Sequence, residues 1–183
     1  MTIQEQFYTV EQFEAFVQQP DNADKLFEFI GGEIVEVPSN PFVSKIAGLI
    51  LTFFNLYLFD HPIGHITGEA GDYMVSGERY APDVAFISLK KQPELAKEGY
   101  NPNPPDLAVE IISSNRTAER DQLRVKISNY LAVETVVWVV KPEQKQIEVH
   151  IHGQSVKIYR EQDPIDGGDV LPGFTLTVSR IFA

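Results

Sequence analysis

The run Pro104-Pro105-Asp106-Leu107-Ala108-Val109-Glu110-Ile111-Ile112-Ser113-Ser114 sets an acid inside a string of β-formers. Such a run predicts a largely buried strand over 106–112. A carboxylate there costs on the order of several kcal/mol unless it is paired, protonated or bound to metal. A second strand, Ala81-Pro82-Asp83-Val84-Ala85-Phe86-Ile87, carries another acid in a similar setting. Two buried acids on two neighbouring hydrophobic strands point to a divalent-metal site.

Spacing decides which acids can share one ion. Asp106 and Glu110 lie on one strand, and at ~3.3 Å per residue their Cα atoms would be about 13 Å apart. Ligands of a single Mg²⁺ sit at ~2.0–2.1 Å, so this pair is too far apart. Adjacent strands are only ~4.8 Å apart, which lets Asp83 and Glu110 converge. Their faces carry small neighbours, Ala81 and Ala85 beside Asp83, and Ala108 with Ile112 beside Glu110. The competing reading places Asp83 at a strand start beside a turn and pairs Glu110 with a core arginine.

Hydrolysis at a metal also needs a cation to stabilise charge or position water. Lys126 is the candidate, on a helix predicted over 117–131 and one turn from both Leu123 and Tyr130. A long side chain at the border of that helix's apolar face can reach the end of the strand; a snorkelling surface lysine is the commoner use of such a position. Arg116, Arg120 and Arg124 form a basic stripe suited to phosphate contacts. Ion pairs with Glu119 and Asp121 would explain the stripe equally well. Glu148, His150 and His152 alternate on one strand face opposite Ile147, Val149 and Ile151, the pattern of a solvated outer face rather than a zinc site.

The remaining pattern organises the chain. Thr9-Val10-Glu11-Gln12 reads as a capping box opening a short helix that ends near Pro20. Leu26–Ile30 and Ile34–Val37 flank Gly31-Gly32, a hairpin signal. Pro41 to about Phe59 reads as a central helix with Ile46, Leu49, Ile50, Phe53 and Phe54 inward. One or two strands fall in 64–76, a surface loop in 89–104, and further strands in 135–140, 146–152 and 155–159. The order predicts an α/β sandwich with a mixed sheet.

The 183 residues predict a single domain spanning 1–183, and they contain no cysteine, which excludes disulfides and thiolate metal sites. The net charge of −11 argues against loose attraction to nucleic acid, which works through phosphate neutralisation. No signal peptide is read at the N-terminus, and the apolar run 48–59 is too short to span a bilayer, so a cytoplasmic protein without membrane association is expected.

Strand–Pro-Asp, then a strand ending in Glu, then a helix, resembles the PD-(D/E)xK nuclease superfamily, and more closely its Uma-type restriction endonuclease family. The matching pieces, in order, include Phe27-Glu28-Phe29-Ile30-Gly31-Gly32-Glu33, Gly68-Glu69-Ala70-Gly71-Asp72-Tyr73, Ala81-Pro82-Asp83-Val84-Ala85-Phe86 and Pro105-Asp106-Leu107-Ala108-Val109-Glu110. Lys126 followed four residues later by Tyr130, Val137-Trp138-Val139-Val140-Lys141-Pro142 and Val170-Leu171-Pro172-Gly173-Phe174 complete them. The resemblance implies a restriction-endonuclease-like mixed β-sheet core flanked by helices, with N-terminal and C-terminal β-hairpin additions. It implies a metal-dependent endonuclease hydrolysing DNA, with Mg²⁺ or Mn²⁺ at Asp83 and Glu110 and with Glu69 and Glu28 extending the site. The superfamily's signature lysine sits two residues after the acid, where this chain has Ile112; the role maps instead onto Lys126. No histidine role transfers, since Ser44-Lys45 occupies the corresponding region. A homodimer is expected by the same resemblance. The alternative is a catalytically inactive nuclease-like domain that binds nucleic acid or protein, a role that the acidic charge and the displaced lysine would suit.

Overall fold

The computed structural model describes residues 7–37, 40–112 and 117–183. Helix α1 (Val10–Val17) opens on the expected capping box: Thr9 Oγ1 accepts from the Gln12 N–H, and Gln12 Oε1 accepts from the Thr9 N–H. It buries Phe13 against Phe29. Strands β1 (Phe27–Ile30) and β2 (Glu33–Glu36) form a hairpin in register Ile30↔Glu33. Its two turn residues, Gly31 and Gly32, have φ of 59° and 85°. Glycine takes two such angles in succession at least cost, and this turn matches the twist of the flanking strands.

Helix α2 (Pro41–Asp60) is capped by Asn40, whose Oδ1 accepts from the Phe42 and Val43 N–H groups, with proline at its first position. The helix has 20 residues and is apolar enough by length and composition to cross a bilayer, which corrects the reading from the 48–59 run alone. Its apolarity has a local reason as well, since Val43, Ile46, Ile50 and Phe54 pack on the sheet. Strands β3 (Gly64–Gly68), β4 (Tyr73–Val75), β5 (Glu78–Tyr80), β6 (Val84–Ser88) and β7 (Leu107–Ile111) follow. Then come helix α3 (Thr117–Ala132), β8 (Val136–Lys141), β9 (Gln146–His150), β10 (Lys157–Arg160) and the C-terminal hairpin β11 (Pro164–Gly167) and β12 (Leu171–Thr177).

The central sheet has six strands in the order β10-β9-β8-β7-β6-β3. Strands β7 and β8 are parallel, joined by α3 as the crossover; the other pairs of this sheet are antiparallel. A second sheet, β2-β1-β5-β4, absorbs the N-terminal hairpin, which therefore does not stand alone. Strand β5 was not anticipated. It pairs with β4 across Ser76-Gly77, both at positive φ, a second two-residue hairpin turn.

Strand alternation sorts the two cores. Leu107, Val109 and Ile111 join α2 and the C-terminal hairpin on one face, with Phe54, Trp138 and Phe174 in mutual ring contact. Ala108 lies on the other face with Ala85, Tyr80 and Tyr130, under α3 and the second sheet. Each large apolar side chain so buried stabilises the fold by ~1.5–3 kcal/mol. Glu110 shares the alternation of Ala108 and therefore faces α3.

Candidate functional site

Strands β6 and β7 pair Val84 with Val109, so the next step of the same ladder sets Asp83 opposite Glu110. Asp83 precedes β6, and its Oδ2 accepts the Ile111 N–H at 2.7 Å. From α3, Lys126 and Tyr130 reach down one helix face together, as residues four apart do. The Lys126 ammonium donates to Glu110 Oε2 and to Glu28 Oε1, both at 2.7 Å. The Tyr130 hydroxyl donates to Glu110 Oε1 at 3.0 Å. Glu28 stands in the wholly buried strand β1, and its Oε1 also accepts the Ala81 N–H at 2.8 Å. Glu28, Glu110 and Lys126 are only 6%, 8% and 5% exposed. Around them, Tyr80 packs edge-on against Tyr130, lies 5.5 Å beneath the ammonium, and joins Glu78 and Asn129 in a hydrogen-bonded group.

The electrostatics follow from burial. Asp83 is pushed up to about 6, first by desolvation; the Ile111 N–H and the Lys126 charge oppose the shift, and the Glu28 and Glu69 charges add to it. Desolvation also raises Glu110 above the usual carboxylate range, against the pull of Lys126 and with the push of Glu28 and Asp83. Burial alone would lower Lys126, but Glu110 and Glu28 more than offset it and hold the ammonium protonated above its ordinary value. Burial and the Glu110 carboxylate likewise keep Tyr130 a proton donor.

The structure brings Asp83, Glu110, Lys126 and Glu28 together. Glu110 meets a lysine, not the core arginine of the competing sequence reading. Glu69 lies outside this group: it is exposed in the turn after β3, where only its charge reaches Asp83. Asp106 is turned away, accepting the Ser88 N–H and pairing with Lys91. Arg120 lines the pocket at the site, whereas Arg124 pairs with Asp121 on the surface; Arg116 falls outside the described residues. Glu148 is committed to Lys141, with His150 3.6 Å away, and His152 is exposed. Tyr130 is the participant that sequence reasoning took only as core. Its signal was a hydroxyl one turn beyond Lys126, which in a buried setting needs an acceptor.

These groups open on a cavity of about 370 Å³. Among the described residues no three acids or histidines are grouped as a ready metal-ligand set, because the Lys126 ammonium sits between two of the carboxylates. The donor chemistry nevertheless suits Mg²⁺ or Mn²⁺. Both are hard ions that take carboxylate oxygens, and Mg²⁺ is commonly held by one or two carboxylates plus waters and substrate phosphates. Asp83 Oδ1 accepts no hydrogen bond from the described residues, and Asp83 and Glu110 both line the cavity.

Comparison with known proteins agrees with this architecture. The Uma2 family, described as "Putative restriction endonuclease", matches residues 11–179. A solved structure from Anabaena variabilis, described as "a putative nuclease belonging to DUF820", superposes with a TM-score of 0.77 at 17% identity. The match covers 93% of this chain and 96% of that one. No curated protein matches the sequence. At that identity the solved structure speaks for the fold alone; the family match supports a nuclease function.

Proposed function

This chain belongs to the Uma2 family, and on that premise we propose that it is a metal-dependent endonuclease hydrolysing DNA phosphodiester bonds at the pocket under α3. The observation that carries the reading is the convergence of three elements on one point: Asp83 opposite Glu110 across β6 and β7, and Lys126 Nζ 2.7 Å from Glu110. Asp83 and Glu110 would hold Mg²⁺ or Mn²⁺, with Glu28 a further carboxylate beside them. Such an ion, when bound, supplies an activated water and neutralises charge at the scissile phosphate.

The protein's own groups divide the remaining work. The Ile111 N–H fixes the Asp83 carboxylate, and the Tyr130 hydroxyl fixes Glu110. Lys126 stays protonated through neutral pH, so it stabilises charge on a phosphoryl oxygen and does not abstract a proton. With three donors and two of them committed to carboxylates, the ammonium keeps a third for that oxygen. Glu28 holds the lysine in place as the phosphate arrives.

Plasmid nicking in Mn²⁺ and in Mg²⁺ tests the proposal. Lys126→Met should lower cleavage about 10²–10³-fold, as removal of a transition-state donor does elsewhere, and Asp83→Asn and Glu110→Gln should lower it at least as far, since each removes a carboxylate that would hold the ion. Cleavage that survives all three changes would contradict the assignment. A second reading, a nuclease-like domain that binds without cutting, is favoured by the clasp of Lys126 between two carboxylates and by the net charge of −11. Metal binding with no cleavage of any DNA would support it.

A further inference from the structure

The acids are recessed beneath a collar. The same cavity that exposes Asp83, Glu110 and Lys126 is walled by Val35, Val37, Ile112 and Leu123, with Asn40 and Gln122 as polar members. Gln122 is half-buried, and its side chain makes no hydrogen bond among the described residues. Asn40 spends its carbonyl oxygen capping α2, which leaves its amide hydrogens as donors. A volume of about 370 Å³ lies at the small end of ligand-sized cavities, room for one nucleoside unit and not for a duplex.

The charge of the wall argues the same way. Two of its side chains are basic, Arg120 and Lys126, against five acidic ones, Glu28, Glu36, Asp83, Glu110 and Glu119. A surface that tracks a duplex backbone needs many more cations than that. A regular duplex also keeps its phosphates outside a stacked cylinder. A base can occupy the collar only if its nucleotide leaves the stack, and the cost of leaving is least for a base already unpaired.

We infer that the collar is a nucleobase subsite, and that the substrate class of this centre is DNA with an unpaired nucleotide at the point of cleavage. This rests on the nuclease reading above and adds its substrate. The base enters against Val35, Ile112 and Leu123, which offer its ring an apolar face for van der Waals contact. Gln122 and Asn40 meet its polar edge with donors and an acceptor. The phosphate attached to the base is thereby brought to Lys126.

The test is a fluorescence titration with oligonucleotides carrying 2-aminopurine, using the wild-type protein in EDTA to stop turnover. The unpaired strand should bind about tenfold tighter than the same sequence as duplex, with a change in base fluorescence. Leu123→Trp, which fills the cavity from α3, should lower that affinity about tenfold. Val35→Trp fills it from the opposite wall and serves if the first variant loses its native circular dichroism. Gln122→Ala should alter the order of preference among the four bases. Equal affinity for duplex and single strand, or unchanged binding by a folded filled variant, would overturn the subsite. Cleavage by the wild type separates the two proposals. A duplex cut as fast as an unpaired strand keeps the nuclease reading and overturns the subsite. Unpaired strands that are bound through the collar but never cut keep the subsite and overturn the nuclease reading.

Discussion

Lys126 is the residue on which the site turns. It is buried, and it is the counter-charge hydrogen-bonded to Glu28 and Glu110. Lys126→Met should therefore cost about 3–5 kcal/mol in urea denaturation at pH 8, because it strands buried carboxylates. The loss should shrink at pH 5, where the Glu110 carboxylate, raised by burial, takes up a proton, and shrink again when Glu110→Gln is added. Asp83 makes the complementary prediction. Its folded pKa stands at about 6 against an ordinary 3.8, so the folded state binds the extra proton between those values. Its contribution to stability is thus best at low pH and is lost as pH rises through that window. Asp83→Asn, which can still accept the Ile111 N–H, should match wild type at pH 4 and exceed it in melting temperature above pH 6. Added Mn²⁺ should stabilise the wild type above pH 6 and leave Asp83→Asn unmoved.

At the scale of elements, β7 presents Glu110 to the α3 side, and Ile112, the residue just past the strand's end, packs on that side too and lines the cavity. A lysine at 112 would reach the same space from the strand that Lys126 reaches from the helix. Adding Ile112→Lys to Lys126→Met should recover at least about tenfold of the lost cleavage, a fraction of the ~10²–10³ that one such donor supplies. No recovery would mean that the lysine's place on α3 matters beyond its charge. The acid pair was legible because strand periodicity and strand spacing act locally and put Asp83 and Glu110 at one height. The capping box, the Gly31-Gly32 turn and the α3 helix were legible for the same reason. Strand β5 was missed because Ser76-Gly77 is a weak turn signal and three residues show no periodicity. Glu28 could be attached to the site only by resemblance. It reaches Lys126 across 98 residues of sequence, through the packing of β1 against α3, which no local pattern encodes.

For the molecule as a whole, the charge of −11 and the sparse cations at the pocket limit how many phosphates it can neutralise. Binding of single-stranded DNA should then show a shallow salt dependence. A slope of log K against log salt no steeper than about −2 is expected, since each neutralised phosphate contributes only ~0.7 on single strands. A slope several times steeper would point to a basic surface away from this pocket. The central claim is that Asp83 and Glu110 form a divalent-metal centre, and calorimetric titration of Mn²⁺ into wild type, Asp83→Asn and Glu110→Gln at pH 7.5 tests it most directly. The account predicts saturable binding by the wild type that either substitution abolishes; no binding, or binding that both substitutions leave intact, would contradict it.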